Sequence, residues 1–273
     1  MLGKLMKHEW IRMWRVPTLL LVVINVMAII AGMTTSTRVW GIGAITDSFL
    51  RDLIMVLFIA GIIGVAFGAY IYFAVNFYKS TYSDEGYLLH TLPVTPRQIL
   101  ISKILLIGIW QTIVTIGVAL ALIIWLVVGG SNLGLNWEEL IVGISGLKTE
   151  LETVFIQPYP SFKAMVFLMI VQTIVSIIYT GTFMACSITL GQLAKKHRIG
   201  AAIGAGVAIS VIVSSTVSIC QLPFITEEIV NNMGIQIQNF FLSILVGTIV
   251  YAVAIVLLYL ISEYILTKKL NLE

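Results

Sequence analysis

Lys79–Lys103, KSTYSDEGYLLHTLPVTPRQILISK, is a polar island between two long apolar runs, the place where a chain that crosses a bilayer turns back. Within it Ser83 is placed to cap a short helix. Asp84 and Glu85 fall in that helix's first turn, where carboxylates meet unpaired N–H groups and the positive end of the dipole. Tyr87, Leu88, Leu89 and Leu92 give the helix an apolar side. It should end near Thr91, because Leu92 precedes Pro93 and a residue before proline is pushed out of the α region. Thr95, Pro96, Arg97 and Gln98 then read as a capping box with proline in the first helical position, which starts the next membrane helix. The stretch predicts a short amphipathic helix lying on the membrane surface, held between two spanning helices.

The rest of the chain is far from the composition of water-soluble domains. Of 273 residues 59% are hydrophobic and 11% charged, and the mean hydropathy is +1.03. A formal charge of +3 is too small to point to nucleic acid. Cys186 and Cys220 fall in different apolar segments, near opposite membrane faces, which argues against a disulfide or a metal site. The amino terminus is charged and amphipathic and runs straight into a long span, without the pattern of a cleavable signal peptide.

Outward from the central stretch, apolar segments long enough to cross about 30 Å of hydrocarbon recur. Residues 17–78 hold spans one and two (about Pro17 to Met33 and Leu53 to Tyr78), and 99–128 hold the third. Residues 162–190, 199–220 and 240–264 hold the fourth, fifth and sixth. Residues 1–15 place Leu2, Leu5, Met6, Trp10, Met13 and Trp14 at helical spacing, with Lys4, Lys7, His8, Arg12 and Arg15 on the remaining face, the pattern of an interfacial helix. Residues 79–98 form the turn described above, 129–161 a long external segment, and 221–238 an external or re-entrant segment. In the second span Gly64 and Gly68 match GxxxG, a spacing that permits close helix approach.

With both termini inside, the inner segments carry twelve of the sixteen Lys and Arg residues. The outer ones carry only Arg38, Arg51, Lys148 and Lys163. The positive-inside rule therefore puts Lys79–Lys103 in the cytoplasm.

The acidic pair Asp84 and Glu85 followed by Gly86, the apolar stripe, LPVTP at Leu92–Pro96 and the helix opening on Arg97 resemble the segment between the second and third spans of ABC type-2 transporter permeases. The six-span arrangement and the amphipathic amino terminus extend that resemblance over essentially the whole chain, although the 129–161 segment is longer than in compact members. The resemblance implies an all-α integral membrane protein: six transmembrane helices, an amphipathic connecting helix and a cytoplasmic coupling helix. It implies that Asp84, Glu85, Tyr87, Leu88 and His90, with Arg97 close by, face an ABC ATPase subunit. Two copies of that ATPase would hold the ATP and Mg, with no cofactor in this chain and a second permease, identical or a sister, beside it. The resemblance further implies residence in the cell membrane and outward movement of an amphipathic or hydrophobic cargo, such as an antimicrobial peptide or a drug.

Other chemistries find less support. No GxxxxGK[ST] phosphate loop occurs, so ATP-driven work requires another polypeptide. Gly143–Gly146 matches GxSG, but His8, His90 and His197 all fall on the opposite side in this topology. The pairs Glu138/Glu139 and Glu227/Glu228 lack histidine or basic partners and read as solvated loop charges. No charged residue lies in the middle of a span, where ion-driven transporters keep their relays. Uncharged polar residues do occur there. Asn25, Asn76, Gln111, Gln172, Ser176 and Thr180 are the candidates for lining a solute pathway, against the simpler role of satisfying one another between helices. The alternative reading is a membrane-embedded binding or scaffold subunit without export activity, which need not co-purify with an ATPase.

Overall fold

The structure is a computed structural model that describes residues 2–35, 47–82, 95–129, 142, 146, 162–194, 196–225 and 233–268. It is all-helical, with no strand among the described residues. The helices are α1 (Leu2–Met13), α2 (Arg15–Thr35), α3 (Asp47–Tyr82), α4 (Pro96–Gly129), α5 (Phe162–Gly191), α6 (Arg198–Ile225) and α7 (Met233–Lys268). Six of them, α2 to α7, are long and apolar enough to cross a membrane. The chain is a multi-pass membrane protein by that measure.

Several helices outrun the apolar segments that announce them. α3 begins at Asp47 rather than near Leu53, and continues through Lys79, Ser80 and Thr81 to Tyr82. α6 runs past Cys220 and through Pro223 to Ile225, and α7 begins at Met233 and ends at Lys268. Hydropathy marks the part of a helix that matches hydrocarbon. Backbone hydrogen bonding continues into the polar turns beyond it, so the helix is longer than the span.

The junction of α1 and α2 has a local cause. Pro17 has no N–H to give to the Met13 carbonyl, and its ring crowds that carbonyl, so α1 stops at Met13 and a bend falls on Trp14. The bond from Trp14 N–H to the Trp10 carbonyl (3.1 Å) and that from Thr18 N–H to the Trp14 carbonyl (3.2 Å) carry the ladder across the bend. The Thr18 hydroxyl adds a second bond to the Trp14 carbonyl at 2.7 Å.

The chain divides into two compact units. One comprises residues 7–76 and 109–145. In it α2 and the second half of α4 pack through glycine: Gly117 lies against Leu21, and Gly32 against Val128. Each contact is eleven residues further along than the other on both helices, so α2 and α4 run parallel. Asn25 Nδ2 donates to the Leu21 carbonyl at 2.7 Å and to the Gly117 carbonyl at 3.4 Å. Trp10 of α1 stacks on Trp110 of α4 with ring centroids 4.6 Å apart, and Phe58 of α3 meets Trp125 at 6.3 Å. Around these contacts Ile24, Ala28, Phe73 and Val114 are buried.

The other unit comprises residues 1–6, 77–108 and 146–273. Here α5 meets the first half of α4 in a reciprocal glycine crossing. Gly108 lies on the Ile177 carbonyl, and Gly181 lies on the Ile104 carbonyl, so close that neither position has room for a methyl group. The pairing of 104 with 181 and 108 with 177 makes the two helices antiparallel. Gly191 against Ala202 and Gly206 against Ser187 likewise make α6 antiparallel to α5. Tyr179 of α5 and Tyr251 of α7 meet edge to face at 4.9 Å, and the Thr248 hydroxyl of α7 donates to Gln172 of α5. Val213, Val217 and Ala254 close the α6–α7 contact.

Candidate functional site

The segment that decided the sequence reading joins α3 to α4. Its candidates Asp84, Glu85, Tyr87, Leu88 and His90 lie outside the described residues. Both of its ends are described, and both belong to the second unit.

The incoming end is the last turn of α3. Tyr82 and Thr189 of α5 share a hydrogen bond of 2.7 Å. Thr189 gives its own proton to the Ala185 carbonyl at 2.6 Å, so the Tyr82 phenol is the donor. One turn earlier, Ser80 and Thr81 receive Lys103 of α4. The Lys103 Nζ donates to Ser80 Oγ at 2.5 Å and to Thr81 Oγ1 at 2.9 Å, and sits 5.8 Å from the centroid of the Phe77 ring. Ser80 bonds the Phe77 carbonyl at 3.3 Å with its own proton, which leaves its lone pairs for the ammonium. Lys103 is only 3% exposed. A charge so enclosed needs acceptors such as these hydroxyl oxygens, since each hydrogen bond to a charged group contributes about 1.5–3 kcal/mol.

The outgoing end is the first turn of α4. The amides of Gln98 and Ile99 both point back to the Thr95 carbonyl, at 2.9 and 3.3 Å, so the helix opens where the Thr95–Pro96 signal places it. Arg97, in that turn, donates its Nε to Glu263 Oε1 of α7. The arginine side chain is 72% exposed and the glutamate 15%. A cleft of about 710 Å³ opens beside this pair, lined also by Leu193, Leu260, Ile261, Tyr264, Ile265 and Thr267.

The base under both ends is buried. Met184 through Thr189 of α5 are six consecutive buried residues, and Ile99, Leu100, Ile104, Leu106 and Ile107 of α4 are buried as well. The turn between α5 and α6 and the end of α7 gather at this same end of the unit, through Leu193 and Glu263. The basic side chains Lys79, Arg97, Lys196 and Arg198 are exposed. Among the described residues of this unit, Glu263 is the sole carboxylate side chain.

No family model, curated protein or solved structure matches this chain. The site's geometry and the residues themselves therefore carry the functional argument.

The six pathway candidates divide three and three between the units. Asn25, Asn76 and Gln111 lie in the first, and Gln172, Ser176 and Thr180 in the second. Ser176 and Thr180 give their hydroxyls to the carbonyls of Thr173 and Ser176, each at 2.8 Å, and Gln172 accepts from Thr248. Asn25 is held by two carbonyls, as above. Asn76 Nδ2 and Gln111 Oε1 are buried without a partner among the described residues. Gly143, Ile144 and Ser145 of the GxSG match lie outside the described residues.

Sequence reasoning missed three contacts of the site. Lys103 reads as one more inner-facing basic residue, but four apolar residues follow it directly and Ile99 to Ile101 precede it closely, a setting that forces an ammonium to find hydroxyls nearby. Glu263 is the lone acid in the last two turns of the sixth span, a signal that it has a basic partner. The Tyr82–Thr189 bond joins residues 107 apart and leaves no trace in local pattern.

Proposed function

We propose that this chain is the membrane-spanning subunit of an ATP-driven exporter of the ABC type-2 kind. The observation that carries the reading is that both ends of the 83–94 segment are fixed into one helical unit. Tyr82 ties the incoming end to α5, Arg97 ties the outgoing end to α7, and Lys103 ties the last turn of α3 to α4. A force that reaches Tyr82 or Arg97 is thereby delivered to spanning helices. That is the mechanical requirement of a coupling element.

In this reading Asp84, Glu85, Tyr87, Leu88 and His90 meet the ATPase, and Arg97 stands at the root of the docking segment. ATP and Mg stay on that partner, present in two copies, and a second permease completes the assembly. The basic residues at this end of the unit support a cytoplasmic setting in the cell membrane, with both termini inside. The cargo is amphipathic or hydrophobic, moved outward, as the absence of charge from the middle of the spans favours.

The test is reconstitution of the chain with the ATPase that co-purifies with it, comparing wild type with Glu85→Lys combined with Leu88→Ala. Loss of ATPase stimulation, with the permease still folded, supports the reading. Full stimulation by the double variant, or purification without any ATPase, rejects it.

A further inference from the structure

The Arg97 cleft has a feature that coupling does not require. Glu263 engages the guanidinium through Nε, which leaves the two terminal amino groups with no protein partner among the described residues. Those groups form the planar fork that matches the oxygens of a phosphate. The Glu263 side chain is mostly enclosed, whereas the arginine is mostly open, so the carboxylate fixes the guanidinium's direction without occupying its outer edge.

The walls beside that fork are apolar. Leu193, Leu260 and Ile261 line the cleft and are exposed, and Ile265 lines it and is buried. Leu260 and Ile261 belong to a helix long and apolar enough to cross a bilayer. A volume of about 710 Å³ is ample for a glycerophosphate group and the first part of an acyl chain. Thr267 and Tyr264 line the cleft as well. Three and five residues beyond Leu193 come Lys196 and Arg198, both exposed, which add positive charge to this end of the unit.

We propose that this cleft is a binding site for an anionic phospholipid, with the headgroup phosphate on the Arg97 fork and an acyl chain against Leu193, Leu260 and Ile261. Arg97, Lys196 and Arg198 outnumber the single Glu263 carboxylate, and that net positive charge selects an acidic lipid over a zwitterionic one, while the apolar walls select a lipid over free phosphate. The proposal holds whether or not the chain couples to an ATPase.

The experiment is native mass spectrometry of the delipidated full chain in neutral detergent. It is titrated with dioleoyl phosphatidylglycerol, with dioleoyl phosphatidylcholine, or with inorganic phosphate. Wild type is expected to retain the glycerol lipid at least about five-fold better than the choline lipid, the scale set by one basic residue at a membrane surface. Arg97→Gln should bring that ratio close to one. Leu260→Trp, which fills the cleft and leaves the charge in place, should lower retention of the glycerol lipid, and Lys163→Gln, outside the cleft, should change neither. Equal retention of the two lipids by wild type, or an unchanged ratio in both Arg97→Gln and Leu260→Trp, overturns the proposal. Displacement of the lipid by millimolar phosphate alone overturns the lipid assignment in favour of a free anion.

Discussion

Replacing Gly181 with alanine tests the packing that supports the site. A methyl carbon built on Gly181 lies 2.2 Å from the Ile104 carbonyl oxygen, and one built on Gly108 lies 2.4 Å from that of Ile177. Carbon and carbonyl oxygen rest at about 3.3–3.6 Å in close helix contacts. Because the obstacle is backbone, no side-chain rotation relieves it, and α4 and α5 must part by about 1 Å at their crossing. Overpacking of this kind costs about 1–3 kcal/mol, and a gap approaching 1 Å forfeits a quarter to a half of the dispersion energy of the atoms it separates. Alanine's better helix propensity returns about 0.8–1.0 kcal/mol. The net expectation for Gly181→Ala is destabilisation by roughly 1–2 kcal/mol, taking the upper part of the overpacking range. Gly64→Ala is the matched control, since nothing lies within 4 Å of a methyl group there, and it should be neutral or stabilising. Gly108→Ala should resemble Gly181→Ala, and the double variant should cost less than the sum because one separation relieves both clashes. Thermal unfolding in detergent, followed by tryptophan fluorescence, measures the order of the four proteins. If Gly181→Ala proves as stable as Gly64→Ala, the close crossing of α4 and α5 is wrong.

Three further outcomes follow from the same geometry. Tyr82→Phe removes the donor to Thr189 and should cost about 1 kcal/mol, with Thr189→Val no worse when added to it; equilibrium unfolding of the two singles and the double measures this coupling. Ser80→Ala combined with Thr81→Val strips both hydroxyls from the buried Lys103 and should destabilise by about 2–5 kcal/mol, whereas adding Lys103→Met to that pair should recover much of the loss, read by the same unfolding assay. Pro17→Ala restores the N–H facing the Met13 carbonyl, so α1 and α2 should merge and the new amide should exchange slowly with deuterium; rapid exchange there would show that proline is not the cause of the bend.

The spans were legible because each is a long apolar run, and the starts of α1 and α4 because interfacial periodicity and the Thr95–Pro96 signal are local. The bend at Trp14 was within reach of the same reasoning, since Pro17 stands four residues after Met13. What hydropathy concealed was the length of the helices beyond the spans, which left Lys79–Tyr82 in the polar turn although they complete α3. Of the candidate site, Arg97 is legible in the sequence, while its partner Glu263 and the enclosure of Lys103 are not. Those depend on which helices meet, and no single-sequence pattern encodes that. The pathway candidates show the converse limit: a polar residue in a span announces a need for a partner, and Ser176 and Thr180 meet that need with carbonyls of their own helix.

The most direct test of the account is where position 88 lies and what it touches. A photo-crosslinking amino acid placed at Leu88, activated in intact cells, should join the chain to a nucleotide-hydrolysing subunit, and a cysteine there should resist membrane-impermeant thiol reagents until the membrane is opened. Labelling of that cysteine from outside intact cells, or crosslinks to lipid alone, would contradict it.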